Sequence, residues 1–241
     1  ASDVYKRQIL IIHKKLRINM SFTPFFLSLK LALISTIILF IFCVPLAYFM
    51  ARAQFRAKAI FEAIIALPLV LPPSVLGFYL LVFLSPYSFL GEFFERNFDL
   101  RLVFNFTGLI IASCIYSLPF MAQPLIAGFR ALPKSIIEAS YSLGHGRICT
   151  LLKVALPNIK PNILNAVIIS FAHTLGEFGV VLMIGGSISD QTKVASIAIY
   201  DYVELMDYSS AHIYSAIMLG ISFVVLFSVY FITNKMNKHN L

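Results

Sequence analysis

Five apolar runs, each long enough to cross a lipid bilayer, constrain this chain more than any other feature of its 241 residues. They lie at about 31–50, 59–84, 102–128, 161–185 and 211–233. A bilayer takes about 20 helical residues to cross, and in lipid every backbone polar group must be satisfied within the segment or its neighbours. The rest of the chain does not offset these runs: 59% of residues are hydrophobic, 12% are charged and the mean hydropathy is +0.87. No soluble domain of this length needs so little polar surface. The expected fold is all-α, a polytopic membrane bundle of about five transmembrane helices.

The second run contains LPLVLPPSVLG, with Pro68, Pro72 and Pro73 inside it. Proline lacks a backbone N–H and crowds the preceding turn, so all three are candidate helix breaks. The third run holds Pro119 and Pro124, and the segment after the fourth looks helical from Ala195 onward. At the start, the apolar piece Ile9–Ile12 is too short to span, and it lacks the h-region and cleavage site of a secretory signal. Met20 followed by SFTPFFLSLKLALIST reads as the natural start. Residues 1–19 are expected to be a non-native or disordered extension, and residues 20–241 one transmembrane domain.

Charge orients the bundle. Arg52, Arg56, Lys58, Arg130, Lys134, Arg147, Lys153, Lys160, Lys235 and Lys238 would share one side; only Arg96, Arg101 and Lys193 fall opposite. The positive-inside rule places the ten in the cytoplasm. Five further cations precede Met20 and would nearly erase the bias, a second reason to set that stretch apart. The net charge of +8 is thus a topology signal, with no aromatic-interleaved basic run for nucleic acid. Cys43, Cys114 and Cys149 are isolated, and they match neither a metal-ligand spacing nor a disulfide framework.

Residues 134–160, KSIIEASYSLGHGRICTLLKVALPNIK, stand out by being polar. Ser135 with Glu138 three residues later has the form of a capping box. Ala139 and Ser140 are small enough for another surface to come close. Gly144 can end the helix, and Pro157 can open a new element. The expected object is a short helix across the mouth of the bundle, available to a partner. The blander reading is an ordinary basic loop.

Glu138, Ala139, Gly144, Val154, Leu156 and Pro157 resemble, in type and spacing, the EAA loop of ABC-importer permeases, with Ser140 in place of the second Ala. In that family the loop is the coupling helix that docks on the ATP-hydrolysing subunit. The chain itself contains no G-x-x-x-x-G-K-[ST] loop, so ATP and Mg would belong to that partner. With no H-E-x-x-H, no G-x-S-x-G and no paired carboxylates within a span, it is not expected to be an enzyme or to hold a metal.

The second informative stretch is 173–188, HTLGEFGVVLMIGGSI. Glu177 is ionisable inside an apolar run, a functional signal by default. His173, four residues earlier, would share its helix face and could satisfy it, as could backbone amides. Gly176 and Gly179 allow a close helix crossing or local unwinding. With Phe178 these are the candidate pathway or gating residues; a carboxylate repels an anion, so packing or gating is the expected role of Glu177. L-G-E-F-G, the Gly-Gly-Ser turn, a later A-I-Y and LPLVLPPSVLGFYLL resemble the molybdate branch of the family, and sulfate permeases carry a similar segment. His173 departs from the Arg often found there, and a neutral imidazole lowers the positive potential at that spot.

The resemblance implies a type I importer of the bacterial inner membrane. Two copies of the chain would form the pathway, with ATPase subunits below and a periplasmic or lipid-anchored oxyanion-binding protein above. The cargo would be molybdate, with tungstate, sulfate or thiosulfate as the same-class alternatives. A channel or secondary transporter needing no ATPase is the different-class alternative. Secondary transporters often pair broken helices in two related halves, and no second copy of 59–84 is visible in the sequence.

Overall fold

A computed structural model describes residues 21–238, so the proposed extension at 1–19 and Met20 lie outside the described residues. The described chain is helical throughout, with no strand. Its elements are α1 (Thr23–Arg52), α2 (Lys58–Val70), α3 (Pro73–Leu84), α4 (Phe89–Phe98), α5 (Phe106–Ala131), α6 (Lys134–Ser142), α7 (Arg147–Thr150), a π-helical turn (Leu151–Ala155), α8 (Leu156–Asn158), α9 (Lys160–Gly176), α10 (Gly179–Gly185), α11 (Ala195–Glu204) and α12 (Tyr208–Lys238). Three helices are long and apolar enough to cross a membrane unbroken, and two bent pairs bring the total to as many as five.

α1 shows why the bundle suits lipid. Its buried stripe is Ser28, Leu31, Ala32, Ser35, Leu39, Cys43, Ala47 and Met50, at helical spacing and mostly small. Its exposed side carries Phe26, Leu33, Ile41, Phe42 and Phe49, all more than half exposed. Small residues inside let backbones approach, while large apolar ones face outward. α5 is the central helix. It packs on α1 and α9 through Met121, Ala122, Leu125 and Phe129, which are fully buried. At Gly128 a Cβ would lie 2.8 Å from the Asn162 side chain, so α5 and α9 touch closely there. α5 runs unbroken through Pro119 and Pro124.

The second run is two helices bent by 113°. Leu71 and Pro72 both precede a proline, which disfavours the α region, and both are extended, with ψ 134° and 138°. The break therefore sits at Pro72 and Pro73. Pro68 does not break anything: it stays inside α2, because Leu67 keeps helical hydrogen bonding to Leu71. The fourth run is interrupted too, by the local unwinding that Gly176 and Gly179 allow. Its helix stops at Gly176, Glu177 is extended, and α10 begins at Gly179.

One end of the bundle gathers Met50, Phe129, Leu132, Ile137, Ala155 and Ile159 in a single apolar cluster. The segments 51–58 and 129–160, which carry eight of the ten cations, thus share one end. The opposite end is closed by the α10–α11 loop. Thr192 Oγ1 donates to Gly185 O at 2.7 Å, Ser28 Oγ accepts from Ala195 N at 2.8 Å, and Lys193 pairs with Asp201 at 2.5 Å. α12 starts at that end, where Tyr214 donates to Ser21 O at 2.8 Å and its ring stacks on Phe25. The outer segment 85–101 also forms a helix, α4, that the sequence reading missed. Ser88 caps it by accepting from Gly91 N, and Asp99 ends it in the left-handed region at φ 51°.

Candidate functional site

The polar stretch folds as two helical pieces around a sharp turn. α6 starts directly after Pro133, and no side chain caps it. The capping box is therefore not formed: Ser135 lies inside the helix. Leu132 precedes a proline and is extended, so the chain turns into α6 at Pro133, two residues too early for Ser135 to serve. Glu138 neither caps nor pairs with a cation within 4.0 Å; it is exposed, and its carbonyl accepts from Ser142 Oγ. Gly144 ends the helix as its sequence position implies, with φ +81°, while Gly144 N donates to Tyr141 O and His145 N to Ser140 O. Glycine takes this conformation without the penalty an L side chain incurs.

The two small residues of the motif divide. Ala139 faces outward, whereas Ser140 is 4% exposed. Ser140 Oγ lies 2.9 Å from Thr150 Oγ1 and 3.2 Å from His145 Nδ1. It braces α6 against α7 from the buried side of the helix. Downstream, Arg147–Asn158 runs as one helical segment with a π-turn, because Pro157 has no N–H for a regular bond to Lys153. Val154 and Leu156 are half-buried, and Leu156 packs on the main cluster; Pro157 is exposed. The motif's second half thus anchors the loop to the bundle. What the sequence reading missed are Leu143 and Leu152, 77% and 58% exposed beside the turn.

The second site is where the two broken helices meet. A Cβ on Gly179 would lie 2.7 Å from Pro73 Cβ, so the second break crosses against the first. At Gly77 the added atom would be 2.9 Å from Met183 Cβ, which extends the same contact along α3 and α10. Gly176 has nothing within 4 Å and makes no close crossing. The pairing of breaks was not legible as a sequence repeat, because one break is made by prolines and the other by glycines.

His173 and Glu177 do not pair. α9 ends between them, and Glu177 leaves the helix with ψ 138°. His173 Nδ1 lies 2.9 Å from Ser117 Oγ, and its ring stacks on Phe120 at 3.9 Å. Glu177 is 6% exposed, and neither carboxylate oxygen makes a hydrogen bond of good geometry; the Ser113 hydroxyl is the polar side chain within reach of it. Backbone amides do not satisfy it either. Its carbonyl accepts from Ser196 Oγ at 2.6 Å, and Phe178 packs on Tyr200, so α11 holds the break in place. Ser74, Tyr116, His173, Glu177 and Gly179 line a cleft of about 590 Å³ at the crossing. Among the described residues no group of His, Cys, Asp or Glu could hold a metal ion.

The described chain is thus a bent, all-helical bundle with a polar two-helix loop at its basic end. The chain belongs to the family of inner membrane components of binding-protein-dependent transport systems, which it matches over residues 43–238. Its sequence is 44% identical over 204 residues to the molybdenum transport system permease protein ModB of Azotobacter vinelandii, covering 85% of this chain and 90% of that one. It is 33% identical to the putative molybdenum transport permease YvgM of Bacillus subtilis, covering 86% and 92%. To the sulfate transport permease CysT of Escherichia coli it is 30% identical, covering 84% and 73%. The fold is shared with the MetNI methionine ABC transporter (TM-score 0.65, 18% identity, 88% and 94% covered). It is also shared with a bacterial ABC importer of alginate (TM-score 0.69, 16% identity, 96% and 89% covered). The chain is therefore a permease of the type I ABC importer class, in the inner membrane.

Proposed function

We propose that the chain is the permease of an ATP-driven molybdate importer, acting as two copies with separate ATPase subunits and an extracytoplasmic oxyanion-binding protein. The observation that carries the cargo is the 44% identity to a molybdenum permease over 90% of its length, against 30% over 73% for a sulfate permease. The sulfate relatives are near enough to keep sulfate as the second reading.

In this reading residues 134–160 face the cytoplasm and couple the ATPase to the bundle. Glu138, Ala139, Gly144 and the exposed Leu143 and Leu152 present the docking surface. Ser140, Val154 and Leu156 fix that surface to the main apolar cluster, so a push on α6 reaches α1 and α5. The crossing of the two breaks is the part of the bundle best built to move. Its backbone is irregular where it lines a cavity, and elsewhere in lipid such backbone is not tolerated. His173, Gly176, Glu177, Phe178 and Gly179 act there as gate and packing residues. ATP and Mg are held by the partner, and oxyanion selection falls to the binding protein. The test is the ATPase rate of the purified complex with binding protein loaded with molybdate, tungstate or sulfate. Stimulation by molybdate and not by sulfate is expected; stimulation by sulfate alone overturns the cargo.

A further inference from the structure

A cleft of about 640 Å³ lies between the inner end of α1 and the near side of α6, and it shares no residue with the cleft at the crossing of the two breaks. Tyr48, Phe49 and Arg52 line it from α1, Lys134 and Glu138 from α6, and Arg147 from α7. Its deep end is Pro45, seven residues before Arg52, so it runs roughly 10 Å along the helix axis. One end therefore reaches into the apolar zone and the other opens among charged groups.

The charge in it is unbalanced. Three cations share the wall with one carboxylate, and none of the three is within 4.0 Å of an acidic side chain among the described residues. Arg52 is held in place, since its Nη2 donates to Leu132 O at 3.3 Å, yet its buried Nε has no acceptor. A fixed guanidinium with donors to spare is suited to a phosphate. The Tyr48 and Tyr141 hydroxyls stand 3.4 Å apart beside it. The apolar side of the cleft continues outward. Phe49 is 57% exposed, and Phe42, two turns deeper on the same face of α1, is 69% exposed.

We infer that this cleft seats an anionic phospholipid of the cytoplasmic leaflet. Its phosphate rests against Arg52, Lys134 and Arg147, and an acyl chain runs along Phe49 and Phe42. A soluble anion has no use for the apolar wall. The exposed Ala139, Leu143 and Leu152 are not among the residues that line the cleft, whereas Pro45 and Phe49 of the apolar α1 are. Basic pockets between helices on the cytoplasmic side are suited to such headgroups. The lipid would tie the loop to the bilayer surface at the joint through which it moves.

The experiment uses the complex of this chain with its ATPase, reconstituted in vesicles of phosphatidylglycerol and phosphatidylcholine, extracted, washed and examined by native mass spectrometry. Retained phosphatidylglycerol, in preference to phosphatidylcholine, is expected. The double variant Lys134→Gln, Arg147→Gln should lose it by roughly tenfold or more. The double variant Lys153→Gln, Lys160→Gln removes the same charge from the same loop outside the cleft and should keep it. Equal retention by both pairs overturns the inference. So does displacement of the lipid by soluble glycerol phosphate, which marks a free-anion site, or loss of the lipid whenever the ATPase is bound, which gives the cleft to the protein. Lipid retention is read without any transport, so the choice between molybdate and sulfate does not affect it.

Discussion

At the scale of the residue, the two glycines around Glu177 are not equivalent. Gly179→Ala forces a carbon to within 2.7 Å of Pro73 Cβ, in a contact between two breaks that neither helix can easily relax. Overpacking of this kind costs about 1–3 kcal/mol. Gly176→Ala places its carbon in open space. Thermal unfolding in detergent should show a clear drop for Gly179→Ala and little change for Gly176→Ala; equal effects would mean that the crossing is not tight. Glu177 poses a different question. Its carboxylate is buried with no cation beside it and sits in the break, which fits packing or gating better than anion capture. Glu177→Gln is therefore expected to change the maximal uptake rate and leave the oxyanion concentration for half-maximal uptake unaltered. A shift in that concentration with an unchanged maximal rate would assign it to binding instead.

At the scale of the element, the coupling loop allows its own contribution to be separated from its partner's. Gly144 has φ +81° and empty space around it, so Gly144→Val adds backbone strain of roughly 1–2 kcal/mol and no clash within this chain. Ala139 is exposed, so Ala139→Asp costs the isolated chain little, and the charge becomes costly only when a partner buries it. Both variants should insert normally but fail to copurify with the ATPase. Ser142→Ala, which loses one exposed hydroxyl bond to Glu138 O, should copurify fully. Full ATPase binding by Gly144→Val and Ala139→Asp would remove the loop from the coupling role. The sequence made the turn at Gly144 and the break at Pro72 legible, since both follow from local backbone chemistry. It misled at Ser135, because the capping pattern is common and the neighbouring Pro133 sets the helix start. It misled at Ser140, because which side of a nine-residue helix turns inward depends on Thr150, ten residues away. α4 went unread because ten residues between two spans carry too little pattern.

At the scale of the whole molecule, three of the five runs were legible as unbroken spans because lipid leaves the backbone few alternatives, and the other two are interrupted. What they could not show is that two of them meet at their breaks. That contact depends on the fold, which brings residue 73 to residue 179. Orientation is a whole-molecule property too. A cysteine at Ser142 should react with a membrane-impermeant reagent only in inverted vesicles, and labelling in intact cells would invert the bundle and separate the loop from any cytoplasmic ATPase. The account as a whole rests on this chain moving molybdate at the expense of ATP. Proteoliposomes holding the chain with its ATPase, supplied with binding protein outside and ATP inside, measure that directly. Uptake of molybdate that requires ATP and the binding protein, and that a large excess of sulfate does not suppress, is the predicted result. Uptake that proceeds without ATP, or that sulfate abolishes, would contradict it.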